Sequence, residues 1–191
     1  MFDHPINPFK YSSLSDECCS EKNLYAQRYN MALSKFKSVL LSGKLFRIAM
    51  KALGRKPLLF DLNEIKHELK LHGSCYSGLK AVRIRSIIGS EGKCADFDMG
   101  FHPVNEKARQ RWINMAMVYL SYLPIPPVQL IQIGDAYFVR DGHHRISVAR
   151  ALGQDAIDAE VITWKAAPPF PWQPGTETET QQSWKKIDQS A

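Results

Sequence analysis

The run from Val128 to Leu152 constrains the fold more than any other part of this chain. Val128 to Ile133 reads as a strand, Gly134-Asp135 as a tight turn and Tyr137 to Arg140 as the returning strand. A Gly-Asp pair between two such runs is a hairpin signal, because the turn needs residues that tolerate positive φ. The hairpin runs straight into Asp141-Gly142, and His144 to Leu152 then has helical character, stopped by Gly153. A sheet with a helix started from its own strand end is the minimum such a stretch can build. The expected class is therefore α+β.

The turn between strand and helix carries Asp141-Gly142-His143-His144-Arg145. A helix N-terminus has N–H groups without intrahelical acceptors and the positive end of the helix dipole, so it favours an anion. Gly142 lets backbone approach a ligand closely. Arg145 can make paired hydrogen bonds to phosphate oxygens. His143 and His144 can donate to a phosphate or move a proton. Asp141 can hold a metal ion, orient a histidine or accept a substrate proton. Gly142, His143, His144 and Arg145 are thus the candidate phosphate ligands, Asp141 and His143 candidate catalytic groups, and Asp141 the candidate metal ligand. A turn plus N-cap is the plainer alternative for Asp141-Gly142.

Upstream, Ala81 to Ile88 alternates like a strand, and Gly89-Ser90-Glu91-Gly92 reads as a flexible loop. Glu91, Asp96 and Asp98 follow it, and one of them, with Glu91 foremost, is a candidate base or magnesium ligand. Residues 105 to 122 form a predicted helix with Trp112, Met115, Ala116 and Tyr119 on one face, ended by Pro124, Pro126 and Pro127. Ile157 to Ile162 is a last strand. Residues 165 to 191 are rich in proline, then in Thr, Glu and Gln, a composition expected to be disordered. The run from His72 to Gly78 reads as a linker and marks the expected boundary of a domain covering 79 to 164.

Charge is uneven. The chain of 191 residues carries a net +6, yet the nine basic residues between positions 22 and 60 face no acid there, which leaves the rest at −3. Residues 1 to 20 are mixed and expected to be loosely ordered. From 21 to 72 a basic helical extension is predicted. Its first helix spans 23 to 53, with Val39, Phe46, Ala49, Met50 and Leu53 on an apolar face and Lys37, Lys44, Arg47, Lys51 and Arg55 opposite. A second helix starts at Asp61, which with Glu64 resembles a capping box. Lys44, Arg47, Lys51 and Arg55 are the candidate contacts to nucleic acid or another anion, including an anionic membrane surface. No helix-turn-helix signature accompanies them.

The four cysteines, Cys18, Cys19, Cys75 and Cys94, form no Cys-x-x-Cys and no metal-ligand spacing. No stretch is long and apolar enough to span a bilayer, and Phe2 to Lys10 is not a signal peptide. The expected location is the cytoplasm.

The order strand, loop, helix, hairpin, Asp-Gly turn, helix, strand between 79 and 164, with the 141–145 turn in its place, resembles the ParB/sulfiredoxin superfamily. The resemblance is strongest over Pro126 to Val161. It implies a small mixed sheet with packed helices, preceded here by the helical extension. In the partition proteins of that superfamily the turn begins Gly-Glu-Arg-Arg and helps bind CTP; Gly142 and Arg145 match it. In sulfiredoxins it is Gly-Cys-His-Arg, and His143 stands where the catalytic cysteine belongs, which removes that chemistry. The free-serine kinases carry an Asp-Gly-His turn, and Asp141-Gly142-His143 is closest to their pattern. The resemblance implies a nucleoside triphosphate, ATP or CTP, with magnesium, and phosphoryl transfer or hydrolysis as the activity. The alternative is a nucleic-acid-associated protein, regulatory or nucleolytic, that uses the 22–60 segment.

Overall fold

In the computed structural model the chain is a mixed α+β protein built on one six-stranded sheet with packed helices. The structure describes residues 9–69 and 71–173. In chain order the elements are α1 (Phe9–Ala52), β1 (Phe60–Asp61), α2 (Leu62–Glu68), β2 (Leu71–Arg83), β3 (Ile87–Ser90), α3 (Arg109–Leu120), β4 (Val128–Ile133), β5 (Ala136–Asp141), α4 (His143–Ala151) and β6 (Ala156–Ala166). Short 3-10 turns cover Ile84–Ser86 and Glu106–Ala108. The sheet order is β1-β3-β5-β4-β6-β2. β1, β3 and β5 run parallel, β4 is antiparallel to β5 and parallel to β6, and β2 closes one edge antiparallel to β6.

The expected hairpin is present, with Gly134 at φ +59 in its turn. Alternation along its strands sends side chains to two different layers. Leu130 and Val139 join Val161, Phe97 and Ile146 under α4, while Ile131, Ile133 and Phe138 join Leu62 and Ile65 of α2 on the other face. The helical layer extends outward from α4: Val148 packs with Trp112 and Ile113 of α3, and these with Ala32, Phe36, Val39 and Leu40 of α1. Phe36 and Trp112 meet with ring centroids 5.5 Å apart.

Several expectations change. The His72–Gly78 run is not a linker but the first half of β2, which pairs along β6 from Leu71↔Ala166 to Arg83↔Ala156. Its glycines, Gly73 and Gly78, have positive φ and lie at the two register shifts of that pairing. The strand expected over 81 to 88 is broken by the Ile84–Ser86 turn, so Gly89 and Ser90 belong to β3 rather than to a flexible loop. Gly89 is required there: a Cβ would lie 2.3 Å from the Phe138 ring. The tail expected to be disordered from residue 165 begins in β6 and continues to Phe170, which is buried and stacks on Trp172; residues 174–191 lie outside the described residues.

At the other terminus, residues expected to be loosely ordered belong to α1 from Phe9 onward, and residues 1–8 lie outside the described residues. Asp61 caps α2 as expected, its carboxylate accepting from the Asn63 N–H at 2.8 Å. On α1 the apolar face is shifted. Val39 is buried and Phe46 and Met50 are half-buried, but Ala49 and Leu53 are exposed. β1 and α2, within the predicted extension, form part of the same sheet and core.

Candidate functional site

The parallel pair β3 and β5 points two chain segments the same way. Ser90 and Asp141 end neighbouring strands, and the Glu91 N–H donates to the Val139 carbonyl at 2.9 Å. The loop after β3 therefore lies against the start of α4. Between β5 and α4, Gly142 adopts φ +102, and a Cβ there would come within 2.5 Å of Val128. Only glycine turns the corner this tightly. The first bond of the α4 ladder is from the Ile146 N–H to the Gly142 carbonyl, so the amides of His143, His144 and Arg145 are outside the ladder.

His143 is buried. Its Nε2 lies 2.7 Å from the Oγ of Ser90, which is itself fully buried, and its ring stacks on Phe97. The Ser90 Oγ also accepts from the Gly92 and Lys93 N–H groups at 3.3 and 3.0 Å. With its lone pairs so engaged, the hydroxyl proton is free to point at Nε2, which makes the neutral ring with Nδ1–H the matching tautomer. Burial, then the charge of Lys93, pulls the pKa of His143 down to about 4, with Asp141 opposing. His144 meets Phe97 edge-on, and burial, then Lys93 and Arg111, lowers it to about 4 as well. Its Nδ1 is buried with no hydrogen-bond partner, the one such side-chain atom among the described residues.

Arg145 is already engaged. It donates to the Pro126 and Pro127 carbonyls at 2.8 and 2.6 Å and to the Asp141 carboxylate. The expected phosphate ligand is thus a clamp that holds the approach to β4 against the turn. Asp141 remains largely exposed, but one of its oxygens is spent on that pair. Among the described residues no group of three or more His, Cys, Asp or Glu side chains is placed to hold a metal. A single, ion-paired carboxylate is not a magnesium site of its own, because the ion demands near-octahedral oxygen ligation.

Glu91 does not stand free as a base. It receives Lys66 Nζ at 2.6 Å and Arg140 Nε at 2.8 Å. Desolvation raises its pKa, but the hydrogen bonds from Arg140 and Lys66 outweigh this and leave it lowered. Asp98 of the same acidic loop is fully buried. It accepts from Arg47 at 3.1 Å and from the Gly100 and His102 N–H groups, and lies 2.9 Å from His102 Nδ1. Arg47 is therefore removed from the candidate nucleic-acid face: it points into the protein, while Lys44, Lys51 and Arg55 are exposed. Cys94, near the Phe60 and Ser90 carbonyls, is pushed up to about 11 by burial and then Asp61, so its thiol is unreactive at neutral pH.

Sequence reading overlooked Ser90, Lys93 and Arg111. Ser90 falls within the expected flexible loop, and the two cations carry no local pattern. Only the fold brings them to the histidines. Comparisons with protein-family models, with curated proteins and with solved structures find no match.

Proposed function

We propose that this chain binds a nucleoside triphosphate, ATP or CTP, with its phosphates at the start of α4. The carrying observation is the charge balance of that corner. The two histidines are held neutral beside Lys93 and Arg111, the α4 amides lie outside the ladder, and His144 Nδ1 is buried without a partner. A buried polar atom left unpaired is uncommon and calls for a partner, which a bound anion would supply here. An anion would gain from every one of these groups. The likeness of Asp141-Gly142-His143 to the free-serine-kinase turn supports a triphosphate over a simple anion. Lys93 and Arg111 take the ligand role that sequence assigned to Arg145, while Gly142, His143 and Arg145 shape the corner.

Magnesium would come with the triphosphate, since no group of acidic or histidine side chains among the described residues is placed to hold it alone. Phosphoryl transfer or hydrolysis is the further step of the same reading, with Asp141, whose carboxylate is exposed, as the base that accepts the attacking hydroxyl's proton. Glu91 is the weaker candidate in this reading, because its pairs with Lys66 and Arg140 lower its basicity.

Calorimetric titration with ATP, ADP, CTP and GTP in the presence of magnesium tests the proposal. Saturable binding is expected, weakened roughly tenfold or more by Lys93→Ala or Arg111→Ala, the scale of one charge-assisted hydrogen bond. Absence of binding in the wild type, or undiminished binding in both variants, overturns it. Incubation of the bound nucleotide with small hydroxyl compounds then asks for turnover, which Asp141→Asn should abolish.

A further inference from the structure

The outward face of α1 carries an apolar stripe that the fold does not use. Leu41, Leu45 and Ile48 are 59%, 61% and 65% exposed. They fall at i, i+4 and i+7, so they share one side of the helix, and Ala52, also exposed, continues the row. The packing side of the same helix is the opposite one, where Phe36, Val39, Leu40 and Gly43 are buried and Arg47 reaches Asp98. α1 thus has two apolar sides, one seated on α3 and one facing solvent.

A row of cations borders the solvent stripe. Lys37, Lys44 and Lys51 repeat every seven residues, are all exposed, and lie along one flank of the leucines. Ser38 and Ser42 lie on the other side, exposed as well. No acid occurs anywhere between positions 22 and 60.

This charge pattern selects among occupants. A second copy docking through the same face would bring more lysines and no carboxylate to meet them. Nucleic acid would take the lysines but has no use for a row of leucines. An anionic lipid surface takes both: headgroup phosphates for Lys37, Lys44 and Lys51, and the acyl boundary for Leu41, Leu45 and Ile48. The exposed apolar side chains then leave water without any rearrangement of the protein. We infer that α1 is a membrane-surface helix that lies flat on an anionic bilayer through the 37–52 face. It does not cross the bilayer, since no helix among the described residues is long and apolar enough.

Flotation of the full chain with lipid vesicles tests this. One set is phosphatidylcholine alone and the other an equal mixture with phosphatidylglycerol. Wild type is expected to float with the mixed vesicles and not with the neutral ones, and to be released by high salt. Two triple variants dissect the face: Leu41→Gln/Leu45→Gln/Ile48→Gln and Lys37→Gln/Lys44→Gln/Lys51→Gln. Both should lose flotation by tenfold or more while unfolding at the wild-type urea midpoint, because none of the six residues is buried. Absence of flotation in the wild type overturns the inference. So does full flotation of the leucine variant, which reduces the face to a generic polyanion binder. A duplex DNA fragment retained equally by wild type and leucine variant, with no binding to mixed vesicles, assigns the face to nucleic acid instead.

Discussion

At the scale of single residues, the same side chain types can line a site or hold it together, and partners decide which. Arg145 and Glu91 looked like chemistry because an arginine at a helix start and a glutamate after a strand are common at phosphate sites. Apart from Asp141, four residues before Arg145, their partners Pro126, Pro127, Lys66 and Arg140 are 18 to 49 positions away, and nothing local in the sequence announces those. The histidines differ, because burial leaves a signature in their titration. His143 has a folded-state pKa of about 4 against an ordinary 6.5. Above pH 6.5 the ring is neutral in folded and unfolded chains alike, and it adds no pH dependence. As pH falls from 6.5 to 4, the unfolded chain takes up a proton that the folded one refuses, so stability is lost across that window. At 1.36 kcal/mol per pKa unit the loss reaches about 3 kcal/mol for this ring, and His144 acts in the same direction. Thermal unfolding should show a plateau above pH 6.5 and a falling midpoint below it. The fall should be shallower in His143→Gln, and an identical slope in that variant would refute the titration of His143 as its source.

At the scale of elements, local patterns were legible and long-range pairings were not. The hairpin, the face of α3 with Trp112 and Ala116, and the Asp61 cap each depend on neighbours a few positions apart, and each is found. The first half of β2 was missed because Gly73, Ser74, Ser77 and Gly78 have the composition of a linker. It is a strand because β6, some eighty residues on, supplies its ladder. The same distance problem hid Arg47 among the lysines of α1. Its position on the helix resembles theirs only if the packing side is unknown, and the packing side is set by α3 and by the loop before it. This gives the basic helix two kinds of cation with different energetics. Asp98 is fully buried, and Arg47 is its one guanidinium partner. Removing a partner from a buried pair leaves a desolvated charge uncompensated, typically at a cost of 3–5 kcal/mol. The two backbone amides on Asp98 soften this, so Arg47→Met should lose about 2–3 kcal/mol in urea unfolding. Lys44→Gln, one turn away and exposed, should stay within about 0.5 kcal/mol of wild type. Equal midpoints for the two variants would show that the Arg47–Asp98 pair contributes nothing to seating α1.

At the scale of the whole molecule, the question is whether the basic helical segment is an appendage or a structural part of the domain. Charge and the apparent linker at 72–78 divide the chain in two, yet the hydrophobic layers cross that division. Ala32, Phe36, Val39 and Leu40 share a core with Trp112, Ile113 and Val148, and Leu62 and Ile65 share one with Ile131, Ile133 and Phe138. Burying a large aliphatic or aromatic side chain is worth about 1.5–3 kcal/mol. The five large side chains supplied from before residue 72 therefore contribute on the order of the 5–15 kcal/mol by which a domain is stable at all. A chain starting at His72 would keep the 141–145 corner and the resemblance it carries, but would expose Trp112 on one side of the sheet and Ile131 and Phe138 on the other. It is expected to show no cooperative urea transition and poor dispersion of its amide resonances. In the full chain, by the same reasoning, the loss of helix seen by circular dichroism and the change in tryptophan fluorescence should coincide. A cooperative transition in the shortened chain, near the wild-type midpoint, would restore the two-part organisation and make α1 a separable module carried by the domain.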